Sequence, residues 1–477
     1  MALMTADQYK ASLQDGRAVF YRGQPVKDVT QHPVIGLAVE HAAIDYQMAH
    51  DDAERELAVV DGPTGPFSRY YQIPKTPDDL LQRSALIERA TALGGTLVVL
   101  IKEIGTDALF ALHLVGAAID RSKGTNYLSK IQKFYAHCRD NDLAVAVAQT
   151  DVKGHRGKGP TDQDHPDYYV HVAAEDDDGI LLRGAKIHTS VSTNAHEILV
   201  LPTRNFSEGQ EAYAVACAVP ANAPGLKMLA SGYGRTGNTF EHPISSQHKM
   251  METLTIFDDV KVPWDRVFLN GEVDMAGPLA KTFVEFHRFT AVSYKLPLVD
   301  LFVGASHLMA DYNGILRAGH VRDKLAKLIS YAQICRGMTR EAAREAKLVD
   351  GIAVPSAELI NIAKLYFATN YHQALAWVQD IAGGLLVTGP SAEDLEEPQI
   401  RQMVDKYLGA ASSSTEDRLR LMNLIAEITT TDFAGYQAVL AIHAEGSIEA
   451  EKMTIWRQHD VEPSVSYAKQ LAGINED

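Results

Sequence analysis

The sequence predicts an α+β chain in three stretches: an N-terminal α-helical domain over 1–142, a middle β-barrel domain over 143–272 and a C-terminal helical bundle over 273–477. Three observations predict it. In the outer stretches apolar residues recur at three- and four-residue spacing, the period of an amphipathic helix. In the middle the period shortens into short runs parted by turn signals, as in a small barrel or sandwich. The helix–sheet–helix order is itself uncommon among layered architectures and narrows the choice.

Taken in order, Thr5 with Gln8 forms a capping-box pattern that opens a first helix. Thr76-Pro-Asp-Asp opens a second, with an apolar stripe from Leu80 to Leu93, and Tyr127 to Cys138 reads as a third, stopped by Arg139-Asp-Asn-Asp. Strands are expected at Leu143–Ala148, Tyr168–Val172, Gly179–Gly184, Glu197–Leu201, Tyr213–Val219 and Glu252–Phe257. Asp176-Asp-Asp-Gly179 and Val262-Pro-Trp-Asp supply turns between them. Helices return at 276–312, 320–347, 355–383, 398–409 and 415–442, with a glycine-marked loop, Gly383-Gly384 to Gly389-Pro390, between two of them.

Composition sets the class. With 477 residues, 46% hydrophobic and 22% charged, the chain is long enough for two or three packed domains. Three cysteines, Cys138, Cys217 and Cys335, are odd in number and far apart, which points to reduced thiols and a cytoplasmic location. The N-terminus lacks the basic-plus-apolar pattern of a signal peptide. The apolar run at Leu97–Ile101 stops at Lys102-Glu103, far short of the ~20 residues that span a bilayer. A formal net charge of −16 argues against nucleic acid as a partner, although Lys153-Gly-His-Arg-Gly-Lys158 offers a local basic loop. No GxGxxG, GxSxG or common zinc spacing occurs, so the expectation for metal is none.

Several strings carry a resemblance: Met4-Thr-Ala-Asp-Gln-Tyr-Lys-Ala-Ser-Leu-Gln-Asp-Gly-Arg17, Val26-Lys-Asp-Val-Thr-Gln-His-Pro33, Lys123-Gly-Thr-Asn-Tyr127, Gly179-Ile-Leu-Leu-Arg-Gly-Ala-Lys-Ile-His188, Phe257-Asp-Asp-Val-Lys-Val-Pro263, Ala310-Asp-Tyr-Asn-Gly314 and Asp380-Ile-Ala-Gly-Gly-Leu-Leu-Val-Thr388. They resemble the flavoprotein family of 4-hydroxyphenylacetate 3-monooxygenase and 4-hydroxybutyryl-CoA dehydratase, over nearly the whole chain and somewhat closer to the dehydratase. The resemblance implies an acyl-CoA-dehydrogenase-like fold, FAD or FADH2 as cofactor, a homotetramer and, for the monooxygenase branch, a separate flavin reductase as partner. It implies that Gln149, Thr150, His188, Thr189 and Ser190 at two strand ends meet the flavin ring. Gly383, Gly384 and Thr388 would meet its ADP part from a neighbouring subunit. Read without the resemblance, the Thr/Ser pairs suit turn caps and the Gly-Gly pair suits a helix C-cap.

The resemblance also says what is missing. The dehydratase's iron–sulfur cysteines fall on Val99, Glu103 and Tyr294, so no such cluster is expected, while its cluster histidine falls on His287. Its Glu and Lys are matched by Glu252 and Lys295, while a tyrosine and a second glutamate are replaced by Ala291 and Leu440. The phenol-binding groups of the hydroxylase fall on Ile104, Ala108 and Val147.

The catalytic candidates are therefore His287, Tyr294 and Glu103, with Val99, Ala291, Lys295 and Arg156 toward substrate. Histidine titrates near neutral pH and suits proton transfer beside a redox centre, yet a buried histidine bonded to a carbonyl has the same sequence signature. Tyr294, two helical turns further on, either donates to a substrate or fills space. Glu103, in an apolar setting, reads as a base of raised pKa or as the partner of Lys102, Lys295 or Arg288. Glu252 reads as a solvated edge residue, and Arg156 as an anion dock or a solvated turn. Three functions remain: an FAD-dependent oxidoreductase, foremost a monooxygenase using reduced FAD on a small aromatic or acyl substrate; a cluster-free lyase, isomerase or dehydrogenase acting on a CoA thioester; and a non-catalytic flavin-binding or assembly protein.

Overall fold

In the computed structural model, residues 3–63, 65–231 and 237–474 are described. The chain begins with α1 (Ala6–Ser12), β1 (Ala18–Tyr21), β2 (Gln24–Val26), α2 (Ile35–Ala42), α3 (Ile44–Met48) and α4 (Arg55–Ala58). The hairpin β3 (Val59–Gly62) and β4 (Gly65–Ser68) leads to α5 (Pro77–Leu93), α6 (Glu103–Lys123) and α7 (Tyr127–Asp140). Then come β5 (Val145–Ala148), β6 (His171–Asp176), β7 (Gly179–Ser190), β8 (Glu197–Val200), β9 (Val215–Pro220), β10 (Leu226–Ala230), β11 (Glu252–Pro263) and β12 (Val267–Asn270). The remainder is α8 (Val273–Tyr312), α9 (Gly319–Arg344), the hairpin β13 (Lys347–Val349) and β14 (Ile352–Val354), and α10 (Ala357–Ala382). After these come α11 (Ala392–Glu396), α12 (Pro398–Tyr407), α13 (Thr415–Thr429), α14 (Asp432–His443), α15 (Ile448–Gln458) and α16 (Glu462–Ala472). No described helix is long and apolar enough to cross a membrane.

Helix starts follow their local chemistry. Thr5 and Thr76 close capping boxes with Gln8 and Asp79, so orphan amides of the first turn are satisfied. The single helix expected over 415–442 is instead two. Thr430 Oγ1 and Thr431 Oγ1 bond back to the carbonyls of Ala426 and Glu427, and the extended backbone at Thr431 starts α14 afresh.

The β part departs from expectation: it is not a closed barrel. A six-stranded sheet runs β2-β1-β10-β11-β7-β6 and a four-stranded one runs β12-β9-β8-β5, with no ladder joining their outer edges among the described residues. Closure fails because β5 pairs parallel with β8 in the smaller sheet and reaches β7 through one bridge, Asp151 with Lys186. The larger sheet also borrows from the N-terminus. β1 lies parallel to β10 with Val19 opposite Met228, so the N-terminal stretch is not purely helical.

One continuous apolar core runs from Tyr9 to Ala441 through helices and sheets alike. Within it two helices are internal. Every residue from Glu103 to Ala117 of α6 is buried, as is every residue from Phe286 to Leu296 of α8. A helix buried all round must partner any polar side chain it carries. α6 also lies hard against β5: a Cβ at Gly105 would sit 2.4 Å from Val145 Cβ and 2.5 Å from Val145 O. Gly105→Ala is therefore expected to destabilise the protein by about 1–3 kcal/mol in urea unfolding. An unchanged midpoint would mean that α6 can back away from the sheet.

Candidate functional site

Two strand ends meet at the head of the β part. The Ile187 N–H donates to Thr150 O at 2.8 Å. Lys186 Nζ donates to Gln149 O at 2.8 Å and Leu201 O at 3.0 Å and pairs with Asp151 Oδ1 at 2.8 Å. That ion pair is wholly buried. Desolvation pulls the Lys186 amine down and the Asp151 carboxyl up, each partly offset by the partner's charge. The structure thus brings Gln149 and Thr150 alongside His188, Thr189 and Ser190.

A β-bulge shapes this edge. Thr189 pairs with Thr253 and Lys186 with Thr255, so two residues oppose Leu254, and His188 takes φ +60°. His188 is turned to solvent, within reach of the charges of Lys153 and Arg156, while Thr189 stays buried. Thr189 Oγ1 has no hydrogen-bond partner. A buried hydroxyl left unpaired costs free energy, so this edge suits a ligand with a polar rim.

The internal helices supply the second group. Asp107 on α6 accepts at Oδ2 from His287 Nδ1 on α8 at 3.1 Å. Its Oδ1 accepts from Arg83 Nη2 at 2.7 Å and Thr290 Oγ1 at 2.9 Å. A carboxylate on Nδ1 fixes the tautomer and leaves Nε2 as the exchanging nitrogen. Phe283 stacks on the imidazole with centroids 5.3 Å apart, so the ring plane is fixed as well.

Two turns on, Tyr294 and Lys295 meet Glu445, which sequence reasoning did not find. Tyr294 Oη hydrogen-bonds Glu445 Oε1, and Lys295 Nζ donates to Glu445 Oε2 at 3.0 Å. Burial pushes the Glu445 carboxyl well up, with Glu451 adding to it; burial and Lys364 push the Lys295 amine well down. Both lean to their uncharged forms. Glu445 is delivered by a left-handed residue (φ +59°) followed by Gly446 (φ +109°), where a Cβ would meet Arg288 Nη2 at 2.5 Å. The Glu445-Gly446 pair, between two helical stretches, was the available signal, and it resembles an ordinary turn. Tyr294 and Lys295 line an enclosed cavity of about 10 Å³ with Thr96, Val98, Phe367 and Gln437, whose Nε2 is buried without a partner.

Glu252 is not a solvated edge residue. Its carboxylate accepts from Ser190 Oγ at 3.0 and 2.9 Å and from Tyr436 Oη at 2.9 Å. Desolvation raises its pKa to about 7, against these two donors. The folded protein therefore holds a proton that the unfolded chain releases near pH 4.5. Stability from this group is full below that value and is lost as pH rises toward 7. Glu252→Gln should flatten the stability–pH curve over this window, by at most about 1.4 kcal/mol per pH unit. Identical slopes in denaturant titrations of the two proteins would exclude the effect.

The other expected residues are scattered. Val99 and Ala291 are completely buried and do not line the cavity. Arg156 is on an exposed loop. Gly383, Gly384 and Thr388 form an exposed turn, with Thr388 Oγ1 donating to Gly384 O at 3.1 Å, packed on α10 and α13. Glu103 makes none of the three expected ion pairs: Lys102 pairs with Asp142, Lys295 with Glu445, and Arg288 bonds Asn361 and Glu445 O.

Comparison with known proteins matches residues 5–269 to the family described as 4-hydroxyphenylacetate 3-hydroxylase N terminal and residues 276–473 to its C terminal counterpart. The chain belongs to the 4-hydroxyphenylacetate 3-hydroxylase family. It is 31% identical to 4-hydroxybutyryl-CoA dehydratase/vinylacetyl-CoA-Delta-isomerase of Clostridium aminobutyricum, over 99% of this chain and 100% of that protein. It is 30% identical to the 4-hydroxyphenylacetate 3-monooxygenase oxygenase component of Thermus thermophilus, over 93% of this chain and 92% of that one. A crystal structure of the oxygenase component of 4-hydroxyphenylacetate 3-monooxygenase complexed with FAD superimposes with a TM-score of 0.91 at 27% identity, over 98% of each chain.

Within the 4-hydroxyphenylacetate 3-hydroxylase family this member's cysteines do not suit an iron–sulfur cluster. Cys138 lies on α7, Cys217 on β9 and Cys335 on α9, all buried. Burial pushes the Cys217 and Cys335 thiols up to about 12 and Cys138 well up, whereas the metal ligand is the thiolate. Among the described residues no group of three or more His, Cys, Asp or Glu side chains is placed to hold a metal ion.

Proposed function

We propose that this chain is an FAD-dependent monooxygenase component that uses reduced FAD, delivered by a separate flavin reductase, on a small aromatic or acyl substrate. The observation that carries it is the joined strand-end edge with the unpartnered Thr189 hydroxyl, in a chain that superimposes end to end on an oxygenase component solved with FAD. Gln149, Thr150, His188, Thr189 and Ser190 would hold the ring, and Gly383, Gly384 and Thr388 would reach the ADP part from a neighbouring copy in a homotetramer. Reduced FAD, when bound, supplies the electrons that activate oxygen.

The chain's own residues do the rest. His287, anchored through Nδ1 by Asp107, takes or returns a proton at Nε2. Tyr294 lines the cavity with its phenol proton directed to Glu445 Oε1, and Lys295 donates to that carboxyl's other oxygen, so the three hold a proton beside the cavity. Val98 and Phe367 wall this cavity, which has room for about one water molecule beside Tyr294 and Lys295. Arg156 lies where an anionic substrate would dock. The same reading takes 1–142, 143–272 and 273–477 as the three domains of an acyl-CoA-dehydrogenase-like protein and puts it in the cytoplasm.

A second reading, a cluster-free lyase, isomerase or dehydrogenase acting on a CoA thioester, is favoured by the 31% identity to the clostridial dehydratase and by Glu252 and Lys295. Isolation separates the two. Colourless protein that binds added reduced FAD and then consumes oxygen supports the monooxygenase. Yellow protein with tightly held FAD and no oxygen uptake supports the thioester enzyme. Protein that binds no flavin in either redox state ends both.

A further inference from the structure

Asp45 on α3, Tyr70 just before α5 and Glu103 at the first residue of α6 bring buried oxygens into one another's electrostatic range. Asp45 Oδ1 and Oδ2, Glu103 Oε1 and Tyr70 Oη are all buried; none makes a hydrogen bond of full geometry, and the Tyr70 phenol faces both carboxyls. The cations within reach are committed elsewhere. Lys102 Nζ pairs with Asp142 Oδ1 at 2.6 Å and Arg83 Nη2 with Asp107 Oδ1 at 2.7 Å. The other phenols that face Asp45 donate away from it: Tyr9 to Asn194 O at 2.7 Å and Tyr46 to Asp142 O at 3.2 Å. Two carboxylates with no free cation between them cannot both stay ionised in a dry site.

The geometry also says which of the two is charged. Glu103 Oε2 accepts the Lys102 N–H at 3.1 Å and stands in the first turn of α6, where the helix end favours negative charge. Asp45 has no such support. Burial raises both carboxyls, Asp45 the further, with Glu103's charge adding to it.

We propose that Asp45 and Glu103 hold one proton between them at neutral pH, carried on Asp45, and that the pair's single negative charge positions His287 through Arg83 and Asp107. The link is short. The Arg83 guanidinium lies in the field of the Glu103 carboxyl; its Nη2 donates to the Glu103 backbone carbonyl at 2.9 Å and to Thr106 Oγ1 at 2.8 Å as well as to Asp107, and Asp107's other oxygen holds His287. No proton travels along it, because a guanidinium does not give one up; the pair acts by its charge. Asp45 and Glu103 are thus positioning residues, and the assignment rests on His287 being the proton-handling group.

The test begins with hydrogen/deuterium infrared difference spectra of the FAD-loaded protein at neutral pH. Glu252 and Glu445 also have raised carboxyls, so the comparison is wild type minus Asp45→Asn: one protonated-carboxyl band should be lost. A blank difference overturns the shared proton. Steady-state kinetics of the FAD-loaded protein then follow His287. Asp45→Asn with Glu103→Gln removes the charge and should lower kcat while leaving KM nearly unchanged; an unchanged kcat overturns the positioning role. Full turnover in His287→Ala would remove the role of His287 yet leave the infrared result standing. If the double variant does not fold, Asp45→Asn alone still decides the proton.

Discussion

His287→Ala lowers turnover by about 10²–10⁴-fold, the range for loss of a positioned acid or base, and leaves FAD affinity nearly unchanged. The two effects separate because the imidazole belongs to the α6–α8 contact and the flavin-edge candidates belong to β5 and β7. Asp107 keeps two donors, Arg83 and Thr290, after the ring is removed, so no buried charge is stranded and the variant should fold. Steady-state rates with saturating reduced FAD, alongside a flavin titration, check both halves. Unchanged kcat would remove His287 from the chemistry, whereas lost FAD binding with normal folding would place the imidazole against the ring instead.

Asp151→Ala is the largest expected loss of stability, about 3–5 kcal/mol, because it leaves the buried Lys186 ammonium without its counter-charge. Asp151 also accepts the Val170 N–H at 2.9 Å, so a second buried donor is orphaned. The damage falls on the corner that aligns Gln149 and Thr150 with His188, so weaker FAD binding should accompany the lower unfolding midpoint. Pairing Asp151→Leu with Lys186→Met removes both charges and should recover much of the stability. It should not recover FAD binding fully, since Lys186 no longer ties Gln149 O and Leu201 O. A wild-type midpoint for Asp151→Ala would show that water reaches the corner.

What the sequence makes visible is what is encoded locally. α5 is legible from Thr76 and Asp79, and α8 from a 40-residue apolar period that Pro297 does not end. Long-range pairing is not. β1 finds β10 across two hundred positions of chain, and its four residues look like a loop. The two-sheet arrangement depends on the parallel β5–β8 pairing that no turn signals. At the site, His287 and Tyr294 are legible through spacing and resemblance. Asp107, which orients His287, and Asp45, which faces Glu103, are not, because each lies on another helix inside a continuous core. Glu445 hides for a different reason: a glutamate in a left-handed turn before glycine has no local advantage. Its place is set by Tyr294, Lys295 and Lys364.

The position of Glu445 has a temporal consequence. The chain is made from its N-terminus, and helical and β segments pack while later ones are still being synthesised. Lys295, Lys364 and Tyr294 are all present before residue 445 arrives, with their acid partner still unmade. The nascent protein can assemble its strand-end corner early, but it cannot close the interior of α8 and α10 until residue 445 has emerged. Closure of that interior therefore follows the strand-end corner in time, whatever the order in which the helices themselves form.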